Sequence, residues 1–216
     1  MGSFIYDHRV MLLSTNYFGS IPYFQALAGE DQVIFDLHEF YKKQTWRNRT
    51  QILESNGPMY LSVPVERPNG SKSTVKEVLI TEDTNWRKDH WKALESSYKH
   101  APFFFYYGPL VKNLIYQDEP LLYKFNHTIF LQLLEWLDLK IETNFTTEYI
   151  PPADPSDLRV ALDKKKFDIQ QRSYIQVFSD KFDFVPNLSI LDLLMNEGPI
   201  SRNYLIPKER NLFKRK

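Results

Sequence analysis

The segment from Asp36 to Arg49, DLHEFYKKQTWRNR, brings together side chains that could perform acid–base chemistry or bind an anion. If the residues before it form a strand, Asp36 and His38 lie on the same side of that strand's end. A carboxylate next to an imidazole can orient the ring and hold its proton, which is the minimum arrangement for general acid–base catalysis. Glu39 adds a second carboxylate that could take the same role.

The basic residues of this segment are suited to anionic ligands. In an extended chain Arg47 and Arg49 share a face, and paired guanidinium groups bind phosphate or carboxylate oxygens. Asn48 would face the other way, and Lys43 could assist the arginines. The alternative is an exposed connection in which the charges form salt bridges with one another, and the local pattern fits that alternative at least as well.

Three aromatic or imidazole side chains outside this segment are further candidates. His90 lies between Trp86 and Leu94 on the apolar stripe of a predicted helix, where a packed core histidine is the more common outcome and an acid–base group is the alternative. Tyr17 and Trp86 could form the walls of a pocket, because both rings combine a large apolar surface with a polar edge.

The sequence indicates neither a metal nor a cofactor. It contains no cysteine, which excludes disulfides, thiol catalysis and cysteine zinc sites. No GxGxxG, P-loop, GxSxG or HExxH motif occurs, and the five histidines are scattered without metal-ligand spacing. We therefore predict no metal site, and the cofactor is left unassigned.

Composition and charge argue against two classes of partner, nucleic acids and the interior of a membrane. The 216 residues include 27 Lys and Arg against 27 Asp and Glu, so the formal charge is zero. Proteins that bind nucleic acid usually carry a basic excess, so we expect no nucleic-acid partner. No stretch approaches the ~20 apolar residues that a membrane span needs, and the first residues make a poor signal peptide. These features predict a cytoplasmic protein without a membrane span, with a small anionic or sugar substrate.

The first third of the chain predicts a βαβ unit. A strand at 9–15, a helix at 21–29 and a second strand at 32–37 follow one another. In such units ligands bind outside the carboxyl ends of the strands. Those ends are the segments 14–19 and 36–39, so the fold itself would place the candidate residues at a site.

The remaining elements complete an α/β fold, with a small mixed sheet begun by the βαβ unit and a helical region in the second half. Residues 50–65 predict a hairpin, because Asn56-Gly57 supplies the positive φ angles of a tight turn. The FFFYY run at 103–107 predicts a buried connector, and Ser189 through Asp192 predicts a helix cap. The other predicted elements are strands at 75–81 and 140–145 and helices at 85–100, 108–117 and 118–139, the last capped by Asp118.

A Pro- and Asp-rich stretch at 150–157 is the clearest break in the chain. It divides the α/β core with its helical half, residues 1–149, from a C-terminal extension, residues 150–216. We expect the extension to pack on the core, so that the two parts form one structural unit.

Several longer motifs, in the same order along the chain, resemble the WbqC-like protein family. They are STNYFGSIPYF, KQTWRNR, LSVPV, EVLIT, NWRKDHWKALESSY, YIQVF and FDFVPNLSILDLLMNEGP, and they run from about residue 10 to 205. The most specific pieces are the Arg-Asn-Arg triplet and NLSILDLL. At Gly19 and Pro22 the chain departs from the usual family pattern, which predicts a differently shaped first loop around Asn16 and Tyr17.

The resemblance implies a transferase of bacterial surface-polysaccharide (O-antigen type) biosynthesis, acting on a sugar with an anionic donor that is nucleotide-linked or acyl. In that function the arginine pair and Lys43 bind the donor, and His38 or His90 is the general base. Tyr17 and the first tryptophan of the helix motif form the pocket wall. The polar positions carried over from the family are Asp36, His38, Glu39, Lys43, Arg47, Asn48, Arg49, Trp86 and His90.

The alternative function is a non-catalytic binding or scaffold protein of the same pathway. In that case the polar segment 36–49 is a buried salt-bridge network and binds no substrate.

Overall fold

The computed structural model describes residues 11–151, 159 and 171–206. This part of the chain has the predicted α/β fold, with a parallel sheet begun by a βαβ unit and helices concentrated in the second half. The predicted break at 150–157 lies almost wholly outside the described residues, so the division into core and extension stays a prediction.

The main sheet has three parallel strands. β1 (Met11–Leu13) and β2 (Gln32–Phe35) are joined by α1 (Ile21–Leu27), and β7 (Glu142–Phe145) pairs with the other edge of β2. The register places Leu13 beside Phe35 and Phe35 beside Phe145. The three strands therefore end at the same edge, which confirms the basis on which the candidate site was predicted.

The core lies between this sheet and α4 (Leu122–Trp136). Phe130 of α4 stands edge-on to Phe35 with 5.2 Å between ring centroids, and it stacks on Phe24 of α1 at 5.9 Å. β2 alternates between buried and half-buried residues, as expected of a strand with one face on a core. Burial of these rings, about 25 cal/mol for each Å² of apolar surface, holds the helices on the sheet.

The predicted hairpin is formed by β3 (Arg49–Glu54) and β4 (Gly57–Ser62). Gly57 has a φ of 112°, whereas Asn56 is not among the residues with positive φ, so only one of the two expected turn residues adopts that conformation. Asn48 closes the open end of the hairpin. Its backbone N and O lie outside β3, its carbonyl accepts from the Val63 N–H at 2.8 Å, and its amide nitrogen donates to the Val63 carbonyl at 2.9 Å.

Three predicted element boundaries were wrong. The segment 75–81 forms a 3-10 turn, Val75–Glu77, before β6 (Leu79–Ile80), which pairs with β5 (Val65–Glu66). α3 (Phe104–Ile115) begins before position 108, so its proline lies inside the helix. α4 begins at residue 122 and is not capped by Asp118, and the Glu119 carboxylate accepts the N–H of residue 121.

α2 (Trp86–Tyr98) matches the helix predicted from residue 85, and its buried side includes His90 and Leu94. Among the described residues no helix is both long enough and apolar enough to cross a bilayer.

Hydrogen bonds connect the C-terminal part of the described chain to the loop after β1. α5 (Ile190–Glu197) is capped by the Ser189 hydroxyl, and α6 (Arg202–Leu205) follows it after a 3-10 turn. Ser189 also donates from its backbone to the Gln51 carbonyl at 2.7 Å and from its hydroxyl to the Phe18 carbonyl at 2.9 Å. These bonds fix the loop after β1 to the hairpin.

The sequence suggested that Asp192 completes the cap of α5, and this prediction was wrong. Its carboxylate is turned into the protein, where Oδ2 accepts from the Tyr174 hydroxyl at 2.6 Å and from the Gln176 amide at 3.0 Å. Burial raises the pKa of this carboxyl group, and the hydrogen bonds from Tyr174, Gln176 and Tyr98 oppose that rise. Asp192 therefore holds the segment 171–187 against α5.

Candidate functional site

The carboxyl ends of the three parallel strands carry a buried polar group that we call the strand-end cluster. It consists of Ser14 after β1, Asp36 and Glu39 after β2, Arg47 before β3, and Thr146 after β7. All five are buried, so the topology of the sheet, and not proximity in sequence, brings them together.

Arg47 and Glu39 form the centre of this cluster. Arg47 is 1% exposed. Its Nη2 lies 2.8 and 2.9 Å from the two carboxylate oxygens of Glu39, and its Nε lies 3.0 Å from Oε1. Ser14 accepts from Nη2 at 2.6 Å and donates to the same carboxylate at 2.5 Å. The ion pair is therefore desolvated but well hydrogen-bonded, which is the condition under which such a pair is tolerated.

Asp36 links β2 to β7 and to a later part of the chain. Its Oδ1 accepts from the backbone N–H of His38 at 2.9 Å and from the Thr146 hydroxyl at 3.0 Å. Its Oδ2 pairs with Arg159, whose guanidinium also donates to the Ile150 carbonyl at 2.8 Å. Asp36 thus fixes the backbone of His38 but does not contact its imidazole ring by any of these bonds.

The charges of three arginines, Arg47, Arg49 and Arg67, act on the buried Tyr41, and we call these four residues the arginine–tyrosine group. Burial raises the pKa of the Tyr41 hydroxyl to about 12, and the charges of Arg47, Arg67 and Arg49 act against this rise. All three guanidinium groups therefore lie within electrostatic range of that hydroxyl. Tyr41 Oη and Arg49 Nε are buried without a hydrogen-bond partner in the described part of the chain.

Unsatisfied donors of this kind are uncommon, because leaving a buried polar atom unpaired costs roughly 1–3 kcal/mol. Their position among three positive charges fits an anion that would accept hydrogen bonds from them. Sequence analysis missed Tyr41 and Arg67. Tyr41 lies within the charged segment from Asp36 to Arg49, whereas Arg67 lies in a loop whose sequence contains no motif that indicates a site.

The pair Arg47 and Arg49 does not share one face as expected for an extended chain. Arg47 precedes β3 and is turned inward onto Glu39, whereas Arg49 begins β3 and lies 5.9 Å from the centre of the Tyr60 ring. The charges of both groups act on the Tyr41 hydroxyl, although Arg47 is held in a buried ion pair and Arg49 belongs to the hairpin.

His90 and Tyr17 form a separate buried pair. The Tyr17 hydroxyl lies 2.9 Å from His90 Nδ1, and Trp86 stands edge-on to the imidazole at 5.1 Å. Burial lowers the pKa of His90 to about 4, with a smaller opposing effect from a hydrogen bond to the Ser62 backbone. Burial also raises the pKa of the Tyr17 hydroxyl. Both groups are neutral near pH 7, and the ring cluster around them includes Phe125.

His38 is the predicted imidazole that remains partly exposed at the sheet edge. Its Nδ1 lies 3.5 Å from Nζ of Lys76, an exposed residue that the sequence had not singled out. Lys43 is exposed on the connection that leads to Arg47. Asn48 is buried, with its amide nitrogen used by the hairpin and its Oδ1 unpaired in the described chain.

The structure therefore divides the predicted residues into two sets. Asp36, His38, Glu39 and Arg47 meet at the sheet edge, where Arg49 also comes within range of Tyr41. Tyr17, Trp86 and His90 form a packed aromatic group. The apolar stripe of the helix therefore indicated the core position of His90 correctly. Within residues 11–151, 159 and 171–206, no three His, Asp or Glu side chains are grouped so as to hold a metal ion.

Comparison with known proteins gives one family match. The model of the WbqC-like protein family matches residues 15–176, which contain the arginine–tyrosine group and all of the strand-end cluster except Ser14. The uncharacterized protein Rv1507c of Mycobacterium tuberculosis is 35% identical over 96 residues, which is 44% of this chain and 41% of that relative. The chain thus aligns with well under two thirds of that relative's length. No solved structure matches.

Proposed function

The chain belongs to the WbqC-like protein family, and on that premise we propose that it is a transferase of bacterial surface-polysaccharide (O-antigen type) biosynthesis that works in the cytoplasm. It acts on a sugar and uses an anionic donor, either nucleotide-linked or acyl. The pathway follows from the family resemblance, whereas the anionic nature of the donor is supported by the geometry of the site.

The observation that carries the proposal is the arginine–tyrosine group. Two buried donors, Tyr41 Oη and Arg49 Nε, have no partner among the described residues, and the charges of three arginines act on the tyrosine hydroxyl. A phosphate or carboxylate would accept hydrogen bonds from both donors and would be attracted by the surrounding charge. Glu39 neutralises Arg47, so Arg49 and Arg67 supply the positive charge for the donor.

His38 is the general base of the proposed reaction. It is the half-buried imidazole at the carboxyl edge of the sheet, and Asp36 fixes its backbone. It would take a proton from the hydroxyl or amine of the acceptor. As the acceptor atom bonds to the transferred group, the bond to the anionic leaving group breaks and the arginines hold the negative charge that leaves. His90 has no part in this step, because its Nδ1 is occupied by Tyr17 in the core.

A thermal-shift screen of nucleotide sugars, acyl donors and bare nucleotides tests the proposal. An anionic ligand should raise the melting temperature of the wild-type protein, and this rise should vanish in Arg49→Ala and weaken in Tyr41→Phe. Arg172→Ala is a matched control, because Arg172 also lies over a tyrosine ring, 4.7 Å from the centre of Tyr204, but outside the arginine–tyrosine group. A rise that survives in Arg49→Ala would contradict the assignment of this site.

A specific observation also favours the scaffold alternative. Arg47 and Glu39 satisfy each other, and Asp36 is paired with Arg159, so most of the buried charge already has a counter-ion in the protein. In that case the ligand screen would be flat, and the wild-type chain would capture a protein partner of the same pathway. Arg49→Ala would then change neither result.

A further inference from the structure

The first turn of α3 exposes two large aromatic side chains. Phe105 is 95% exposed and Tyr106 is 63% exposed, and Pro109 and Leu110 continue the exposed apolar surface along the helix. The FFFYY run was predicted to be a buried connector, and this prediction was wrong for these two rings. Large apolar groups are seldom clustered on a protein surface. Where they are, they often mark an interaction site.

The helix period explains which rings of the run are buried and which are not. Phe104 stacks on Trp91 of α2 at 6.0 Å, and Tyr107 is 3% exposed. The N–H of Phe103 donates to the Met195 carbonyl of α5 at 3.0 Å. With positions 103, 104 and 107 packed on the protein, the two residues between them must face outward. The exposed rings therefore stand on a fixed helix and do not belong to a loose loop.

Lysines outnumber acids around these rings. From Ser96 to Gln117 the chain contains two lysines and no acid. One of them, Lys112, lies with its Nζ 5.1 Å from the centre of the Trp91 ring, so it stands on the side of α3 that faces α2. α2 adds two exposed lysines, Lys88 and Lys92, at spacings that share a helix side with Lys99, and its exposed acids are Asp89 and Glu95.

We propose that this surface binds an anionic lipid bilayer, with the rings inserted among the headgroups and the lysines paired with lipid phosphates. We call it the basic aromatic face. Its residues are Lys88, Lys92, Lys99, Phe105, Tyr106 and Lys112. The inference does not rest on the proposed function, because none of these residues belongs to the strand-end cluster or to the arginine–tyrosine group.

The combination of groups fits a bilayer surface better than it fits another protein copy. Exposed aromatic rings beside lysines are the composition of helices that lie in the membrane interface, and each lysine near an anionic surface contributes about 1 kcal/mol. Long lysine stems also allow the ammonium group to reach a phosphate while the stem lies along apolar surface. A two-fold contact between two copies would instead bring together two surfaces that each carry four lysines against two acids.

Flotation of the full chain with vesicles tests the inference. Wild-type protein should float with vesicles of phosphatidylcholine containing phosphatidylglycerol, should not float with pure phosphatidylcholine, and should dissociate as salt is raised. Phe105→Ser with Tyr106→Ser should weaken binding at least about tenfold. Lys99→Gln with Lys112→Gln should weaken it about thirtyfold, from about 1 kcal/mol for each lysine.

Two control variants match these changes elsewhere on the surface. Ile175→Ser removes an exposed apolar side chain, 78% exposed, outside α2 and α3. Lys72→Gln with Lys124→Gln removes two exposed lysines outside the face. Both controls should float as the wild type does, and circular dichroism should show all variants folded, since the replaced side chains are exposed.

Three results would overturn the inference. The first is no flotation with anionic vesicles, and the second is flotation that the face variants leave unchanged. The third is a concentration-dependent dimer, or retention on single-stranded DNA, that the Phe105→Ser variant abolishes while vesicles are not bound. The last result would assign the face to a second copy or to nucleic acid.

Discussion

Arg47 and Glu39 are counter-ions inside the protein, joined by three hydrogen bonds of 2.8 to 3.0 Å with almost no exposure to solvent. This relationship changes how the arginine pair must be tested. Arg49 can be replaced without leaving a buried carboxylate unpaired. Replacement of Arg47 removes the counter-ion of the buried Glu39 carboxylate. A loss of ligand binding in an Arg47 variant would therefore mix a lost contact with a damaged fold.

Replacement of Arg47 by Met should lower the free energy of unfolding by about 3–5 kcal/mol, because the Glu39 charge remains buried without its partner. The double variant Arg47→Met with Glu39→Leu should recover most of this loss, since neither charge is then buried. Urea unfolding of the single and double variants measures both values. A single variant that loses less than about 1 kcal/mol would show that the pair is not desolvated as described.

His90 should make stability depend on pH. Its pKa is about 4 in the folded protein, below the ordinary value of 6.5, so between these pH values the unfolded chain binds a proton and the folded protein does not. Stability should therefore fall as the pH is lowered from 6.5 to 4, by about 3 kcal/mol, and should change no further on this account below pH 4.

Urea unfolding at several pH values, compared between wild type and His90→Gln, isolates this contribution. The difference between the two proteins should shrink as the pH falls, because only the wild type loses the histidine contribution. A constant difference would show that His90 is readily protonated and therefore less buried than described.

Asp192 should act in the opposite direction. Burial raises its pKa in the folded protein above the ordinary value of 3.8, so the folded protein keeps a proton that the unfolded chain has lost. The contribution of Asp192 to stability is therefore present at low pH and is lost as the pH rises through the folded pKa. Asp192→Asn cannot ionise, so its stability relative to wild type should increase from pH 4 to pH 7.

Asp192→Ala is the control for this prediction. It cannot ionise either, so its stability relative to wild type should follow the same pH trend, but because it removes the acceptor of Tyr174 and Gln176 it should be about 2–4 kcal/mol less stable than Asp192→Asn. If Asp192→Asn and Asp192→Ala lose the same amount, the hydrogen bonds to this carboxyl group do not contribute to stability.

The elements of the parallel sheet were predictable because their signals are local. An apolar run, a capped helix that ends before Gly29 and a second apolar run specify a βαβ unit without knowledge of any distant residue. The position of His38 after the second strand followed from the same pattern. The strand at β7 was also predicted, but nothing local indicated that it would pair with β2.

The partners of the polar side chains could not be predicted, because they come from distant parts of the chain. Asp36 pairs with Arg159, which is 123 positions away, and Asp192 accepts from Tyr174, which is 18 positions away. Neither pair lies within a single helix or strand, so no local periodicity could indicate it. The same limit applies to Tyr41. Its unpaired hydroxyl, and the action on it of arginine charges from separate segments, are known only from the structure.

Gly198 gives a sharp test of how α3 and α5 are joined. Its φ is 58°, and a Cβ atom at this position would lie 2.5 Å from the Phe103 ring, a distance that real contacts do not reach. Gly198→Ala should therefore lose stability both from the left-handed backbone, about 1–2 kcal/mol, and from overpacking against Phe103, about 1–3 kcal/mol. Chemical unfolding should show a total loss of several kcal/mol.

Gly29→Ala is the matched control, because Gly29 also has a positive φ, 117°, but no atom lies within 4 Å of an added Cβ. It should show the backbone cost alone. The double variant Gly198→Ala with Phe103→Ala should lose less than the sum of the two single losses, since removing the ring removes the clash. Additive losses, or equal losses in the two glycine variants, would mean that Phe103 does not pack over Gly198, and that the exposed rings at the start of α3 are less firmly held than described.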